Sequence, residues 1–344
     1  MKYSFSPRIA RSARITLLVT AALCAATATA SAQSVPYDLG TLPSGLSVQW
    51  PTAPNITRSV DVRTLSEFNQ AAAVAGTLIT IKTAISGRGT LNASDIEIQM
   101  DDGASLGGLF INRSMKRISL NGGQYTGTIE MALPSTFWPS RVDNPAWAIE
   151  DVMIDGIEVR APDTAIFLRG HRVAVLRSFA HAGEYSVFSD TASNDSNTDV
   201  IIAGNDFESE GKQATVRLIG VRNSVTVDNR LTDLLLTGEK HNYRVHGVSD
   251  QVYAARNELV NAGTMLGTMG GDDIGHLWFD DNTFHHKTPD LFNPDTSKIH
   301  VLHAHNNVAY TDVWSCFYCR STPSAWDLGN NAVHPYQPPP TLSR

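Results

Sequence analysis

The chain has 344 residues, with 27 Lys and Arg against 34 Asp and Glu, and a formal net charge of −7. That balance excludes a general nucleic-acid binder, whose footprint is basic, and electrostatic adhesion to an anionic membrane. A hydrophobic content of 42% with 18% charged residues marks a folded chain, not a disordered one.

In chain order, residues 1–32 read as a signal peptide. Lys2, Arg8, Arg11 and Arg14 crowd a start without acids, an apolar run spans Ile15 to Ala26, and Ala30-Ser31-Ala32 offers a cleavage site. The run is too short for a membrane anchor, and Leu23 before Cys24 is not the small residue of a lipoprotein box. The protein is therefore expected in the periplasm or outside the cell, with no membrane anchor. Cleavage removes four cations and no anion, leaving 312 residues with a charge of −11.

Residues 33–59 form a Pro- and Ser-containing lead-in without clear periodicity. Thr64-Leu-Ser-Glu67 is a capping box, and Leu65, Phe68, Ala72 and Ala75 then fall on one helical face. Gly76 ends this helix, and Thr77–Ile81 is the expected first strand. From there the chain repeats. An Asn two positions before an apolar residue recurs at Asn205, Asn229, Asn257, Asn282, Asn306 and Asn331, giving anchors Phe207, Leu231, Leu259, Phe284, Val308 and Val333. Ile157 and Phe179 extend the register upstream, with Asp155 and Arg177 in place of Asn. The period is about 25 residues, and each unit carries two or three short alternating runs such as Val225-Thr-Val227. A unit that small cannot bury its own apolar face, so units must stack, and Asn suits a left-handed corner that ladders amides between coils. The expected fold is an all-β, single-stranded right-handed parallel β-helix over residues 60–334 with an N-terminal capping helix. Residues 335–344 read as a disordered Pro-rich tail.

With the opening Asp61-Val-Arg-Thr-Leu-Ser-Glu-Phe68 and the Asn ladder, the stretch from Val60 to Val333 resembles the pectate-lyase superfamily of β-helix proteins. That architecture hosts lyases, hydrolases and tailspikes, so function must come from the site. Polar chemistry gathers late: all eleven histidines lie at or beyond position 171. Aligning Gly220 with Gly247 sets Arg217 beside Arg244. Alternation sends Val216, Leu218, Tyr243 and Val245 inward, and Arg217, Asn242, Arg244 and His246 outward. Two guanidiniums about 4.8 Å apart repel unless an anion lies between them. Lys240 and His241 precede this strand.

The constellation resembles the Lys/Arg pairs of the chondroitinase B and alginate lyase type. The resemblance implies Lys240 as the base that takes the proton α to a uronate carboxylate and Arg244 as its partner, with His241 or His246 positioning the sugar. Arg217, Asn242 and Trp278 are the expected substrate contacts. It also implies calcium, for which Asp272 and Asp273 are the candidate ligands. The expected partner is an acidic polysaccharide, and the expected state a monomer. Gly271-Asp-Asp273 resembles one motif of polygalacturonases, which keeps carboxylate-driven glycoside hydrolysis as an alternative, as does a glycan-binding solenoid without catalysis. The pectate lyase R-x-P-x-x-R pattern is absent.

His300, His303 and His305 invite a metal reading, but His300 falls on the other strand face, and surface or turn histidines are the expectation. His285-His286 opens a loop from Phe284 to Asn293 that departs from the coil pattern. Cys316 and Cys319 are expected to form one local disulfide in an exported chain, since no second thiol pair exists for zinc. Trp314, Phe317, Tyr318 and Trp326 around them are expected to seal the C-terminal end of the core.

Overall fold

The computed structural model describes residues 36–133, 144–189, 197–211, 214–235, 241–261, 264–267, 272–287, 298–313, 316–318 and 322–341. The expected leader, Lys240 and Cys319 lie outside these residues.

The strands pair in parallel, coil on coil, into three sheets of twelve, eleven and eight strands among the described residues. A coil passes from sheet A (Val221–Val227) to sheet B (Arg230–Asp233) to sheet C (His241–His246), and Gly247 turns it into the next sheet A strand (Val248–Ala255). The fold is a parallel β-helix. Inward residues of all three sheets form one continuous apolar column, including Ile79, Ile98, Val152, Val216, Tyr243 and Phe284. Each fully buried Ile, Leu or Phe there contributes about 2 kcal/mol. No helix among the described residues is long and apolar enough to cross a membrane.

The helix α1 spans Leu65–Ala71, shorter than the pattern reaching to Ala75, because Ala72 already caps it. The capping box is formed: the Glu67 amide donates to Thr64 Oγ1 at 3.2 Å, and the Thr64 amide donates to Glu67 Oε2 at 3.1 Å. Phe68 is fully buried against the first coil. Gly89 makes room for it, since a Cβ there would stand 2.3 Å from the Phe68 ring. One strand was hidden from the periodicity: Arg58–Val62 precedes α1 and pairs in register with Thr77–Ile81. The N-terminal coils are also tighter than about 25 residues, with Ile79 facing Ile98 and Ile98 facing Leu120.

The Asn ladder stands, with its register corrected. Asn205, Asn229, Asn257, Asn282, Asn307 and Asn331 are all rungs. The Asn257 carboxamide oxygen accepts from the Asn229 amide and side chain at 3.0 and 2.9 Å, and its Nδ2 donates to Thr226 O at 2.9 Å. Asn307, not Asn306, is the rung, so Ala309 replaces Val308 as the apolar anchor opposite Phe284. Asn306 instead takes the left-handed corner (φ 57), the place held by Arg256 and Asp281 in earlier coils. Upstream, Ser178 holds the rung position, its amide donating to Asn205 Oδ1 at 2.9 Å, and Arg177 is a left-handed corner, not a rung. Ala180 and Val159 are therefore the anchors, in place of Phe179 and Ile157.

The lead-in has an order that its sequence does not advertise. It runs along the outer face of sheet A, where Leu39 and Leu46 join a second apolar cluster with Ala174, Ile201, Val225, Tyr253 and Trp278. Its amides are pinned by aspartates: Asn55 donates to Asp95, Thr52 to Asp151 and Gln49 to Asp199, at 2.9, 2.9 and 3.1 Å. Those aspartates sit at left-handed positions two coils apart. Three extended residues span about 10 Å, and two coils rise about 9.6 Å, so the spacing matches. The C-terminal segment also folds back instead of leaving the body. Gln337 O lies 2.7 Å from His285 Nδ1, Arg230 donates to Pro340 O at 3.0 Å, and Lys287 stands over the Tyr336 ring at 4.8 Å. These segments lie on sheets A and B, and the candidate site lies on sheet C.

Candidate active site on sheet C

The coil register builds one aligned column on the outer face of sheet C: Thr90, Phe110, Glu130, Phe167, Phe188, Arg217, Arg244 and Gly267 are neighbours in sequence of coils. Adjacent members are about 4.8 Å apart. In the lower half charge is satisfied internally. Arg88 pairs with Glu130 at 2.5 Å and covers Phe110, while Arg169 covers Phe167 at 4.9 Å and donates to Met131 O at 2.7 Å.

The upper half differs. Arg217 donates to Tyr185 Oη at 2.9 Å and lies over the Phe188 ring at 5.5 Å; Tyr185 stacks on Phe188 at 4.8 Å. Arg244 stands beside it, only 9% exposed, with its Nε unpartnered and no carboxylate in ion-pairing reach among the described residues. Burial, and then the Arg217 charge, hold its pKa below the ordinary arginine value. A buried cation next to a second cation is a costly arrangement that an anion would relieve.

Two residues on, and on the same face, lies His246, 3% exposed. Its Nδ1 is 2.8 Å from Asp272 Oδ2, and the other Asp272 oxygen accepts from the Gly247 amide at 2.8 Å. An ionised carboxylate can only accept, so the ring proton sits on Nδ1 and Nε2 carries the lone pair. That Nε2 is buried and unpartnered. Burial lowers the His246 pKa, as do Arg244 and Arg217, against the opposing pull of Asp272. The imidazole is thus neutral near neutral pH, oriented, and equipped to take a proton.

The expected side chains divide accordingly. Arg217, Arg244, His246 and Asp272 come together, and His241 begins the same strand. Asn242 does not face outward. It is fully buried, and its Nδ2 donates to Leu231 O and Val260 O at 2.8 and 3.0 Å. The cause is the corner between sheets B and C, where Ser186, Thr215 and Asn242 in successive coils each bond a sheet B carbonyl. Trp278 lies on sheet A, 9% exposed within the cluster that the lead-in covers, and so away from the arginines.

Calcium does not fit Asp272 and Asp273. Asp272 is engaged by N–H donors rather than joined by further oxygens, while Asp273 opens the next sheet A strand and pairs with His300. The same divergence separates the two carboxyls that a hydrolase would need to flank one bond. Tyr185 and Phe188 were missed by the sequence reading. Phe188 stands 29 residues before Arg217 and Arg217 stands 27 before Arg244, so the simple alignment stops one coil short.

No family model and no curated protein matches the chain. Two solved structures resemble it. An alginate lyase from Paenibacillus sp. str. FPU-7 aligns over 80% of this chain and 99% of its own, at 12% identity and a TM-score of 0.42. The Dettilon tailspike protein aligns over 78% of this chain and 64% of its own, at 10% identity and a TM-score of 0.46.

Proposed function

We propose that the outer face of sheet C binds an extended acidic polysaccharide and cleaves it by β-elimination at a uronate. The observation that carries this reading is the pair Arg217 and Arg244, unneutralised at Arg244, next to a neutral His246 whose buried Nε2 has no hydrogen-bond partner. A uronate carboxylate seated on the two guanidiniums supplies the missing anion through charge-assisted hydrogen bonds. The same contact stabilises the charge that develops when the α-proton leaves. His246 Nε2 takes that proton from C5, the C4–C5 double bond forms, and the C4–O4 bond breaks. The leaving oxygen takes a proton from the Tyr185 hydroxyl, which accepts from Arg217 and keeps its own hydrogen to donate.

Lys240 is the base that the family resemblance implies; the geometry around His246 supports His246 in that role instead. The test is ultraviolet absorbance of the purified chain with a panel of uronate polysaccharides, with calcium or with chelator. Absorbance from an unsaturated uronate is expected to grow under both conditions. His246→Ala should lower kcat by at least about 100-fold with binding retained, and Lys240→Ala should leave turnover measurable. New reducing ends without absorbance would replace elimination by hydrolysis. Binding without either product would reduce the arginine pair to a clamp. Loss of turnover in Lys240→Ala but not in His246→Ala would return the base to Lys240.

A further inference from the structure

A second cluster lies on a different sheet, at the C-terminal end of the solenoid. We propose that His303, His305 and Asp327 form a site for a divalent transition-metal ion that ties the last strand of sheet A to the coil before it. The ligand atoms of the three side chains lie within 4.8 Å of one another. His305 Nε2 is 3.0 Å from Asp327 Oδ1, yet the two are not aligned as a hydrogen bond, and that Nε2 has no hydrogen-bond partner. His303 Nδ1 is 3.9 Å from Asp327 Oδ2. Donors about 2.1 Å from one tetrahedral ion stand about 3.4 Å apart, between these two separations. Potential donor atoms this close, with no hydrogen bond between His305 and Asp327, are what a shared third centre requires.

The supports are those of a metal site. Trp278 lies nearly parallel to the His303 ring, at 6.2 Å and 8°, and is itself stacked with His276 at 5.8 Å, which restrains the ring plane. Asp280 accepts from the His305 amide at 3.0 Å and holds the turn that carries His305. Two imidazoles and one carboxylate select zinc or a neighbouring transition metal over calcium or magnesium, which want oxygen. The role is structural. His303 and Asp327 are paired neighbours in the last two strands of sheet A, and the terminal strand, Trp326–Asp327, has only two residues to hold it. His300, expected on the other strand face, is not a member: it pairs with Asp273.

The experiment uses the tag-free full chain and zinc chloride, titrated by calorimetry, with cobalt absorbance as a second reading. One saturable site is expected, with a melting temperature that rises on zinc addition. His305→Ala and the isosteric Asp327→Asn should each weaken binding at least about tenfold and abolish the thermal shift, and His300→Ala should change neither. Absence of saturable binding, or affinity kept in both ligand variants, would overturn the proposal, as would a loss confined to His300→Ala. Asp327→Asn preserves side-chain shape, so the test stands even where His305→Ala fails to fold.

Discussion

Arg244 and His246 show how burial on a solenoid strand shifts the protonation equilibria of its polar side chains. Burial works against the charged form of both: Arg244 stays cationic where no anion answers it and its pKa is lowered, and His246 is held neutral further into the acid range than in water. Removing a buried unpaired charge relieves the free protein, so Arg244→Met should raise its stability to urea by about 1–2 kcal/mol while eliminating binding of acidic polysaccharide. A charge-only role would be rescued by Arg244→Lys; a bidentate one will not be. His246 gives a pH signature. Its folded pKa lies below the ordinary value of about 6.5, so below that pH the unfolded chain binds a proton that the folded one refuses. Stability from this residue is full above about pH 6.5 and falls as pH drops toward the folded value. The acid limb of kcat/KM should lie below pH 6.5 for the same reason, and a limb above it would contradict the assignment of His246 as base.

At the scale of the coil, the ladder and the corner have different energetics although both use asparagine. Asn307 accepts from the Asn282 amide and side chain and donates to Phe279 O, all buried. Asn307→Ala strands those partners and should cost about 3 kcal/mol in chemical denaturation. Asn306 is there for its left-handed backbone, so Asn306→Gly should be neutral within about 0.5 kcal/mol. Equal costs at the two positions would undo the register. The sequence repeat is one residue ambiguous here because both positions are Asn, and only the pairing of Phe284 with Ala309 decides it. Asn242 failed for a related reason: strict alternation ignores the corner, where a polar side chain turns in to meet a sheet B carbonyl.

Over the whole molecule, the three outer faces have different fates. Sheet A carries an apolar stripe from Met153 to Trp278 that the lead-in packs against, while residues 335–341 pack back toward His285 and Arg230 of sheet B. Leu46→Asp buries a charge in the strap cluster, and it should open the lead-in to limited proteolysis between Tyr37 and Thr57 while sparing turnover on sheet C. Cleavage no faster than in the parent chain would show that the strap holds without its apolar contacts.

Local chemistry was sufficient for the parallel β-helix, the capping box at Thr64 and Glu67, and the alignment of Arg217 with Arg244, because each follows from a spacing of about 25 residues or less and from alternation along a strand. Four-residue boxes and neighbouring coils are short-range facts. Contacts between distant segments had no such signature. Gln49 meets Asp199 across 150 residues, Arg230 meets Pro340 across 110, and Leu39 meets Arg256 across 217. Periodicity reports which face a residue takes within its own strand. What covers that face is set by segments folded back over sheets A and B, and it was the tertiary structure that placed Trp278 under the strap and buried His246 against Asp272 beside Arg244.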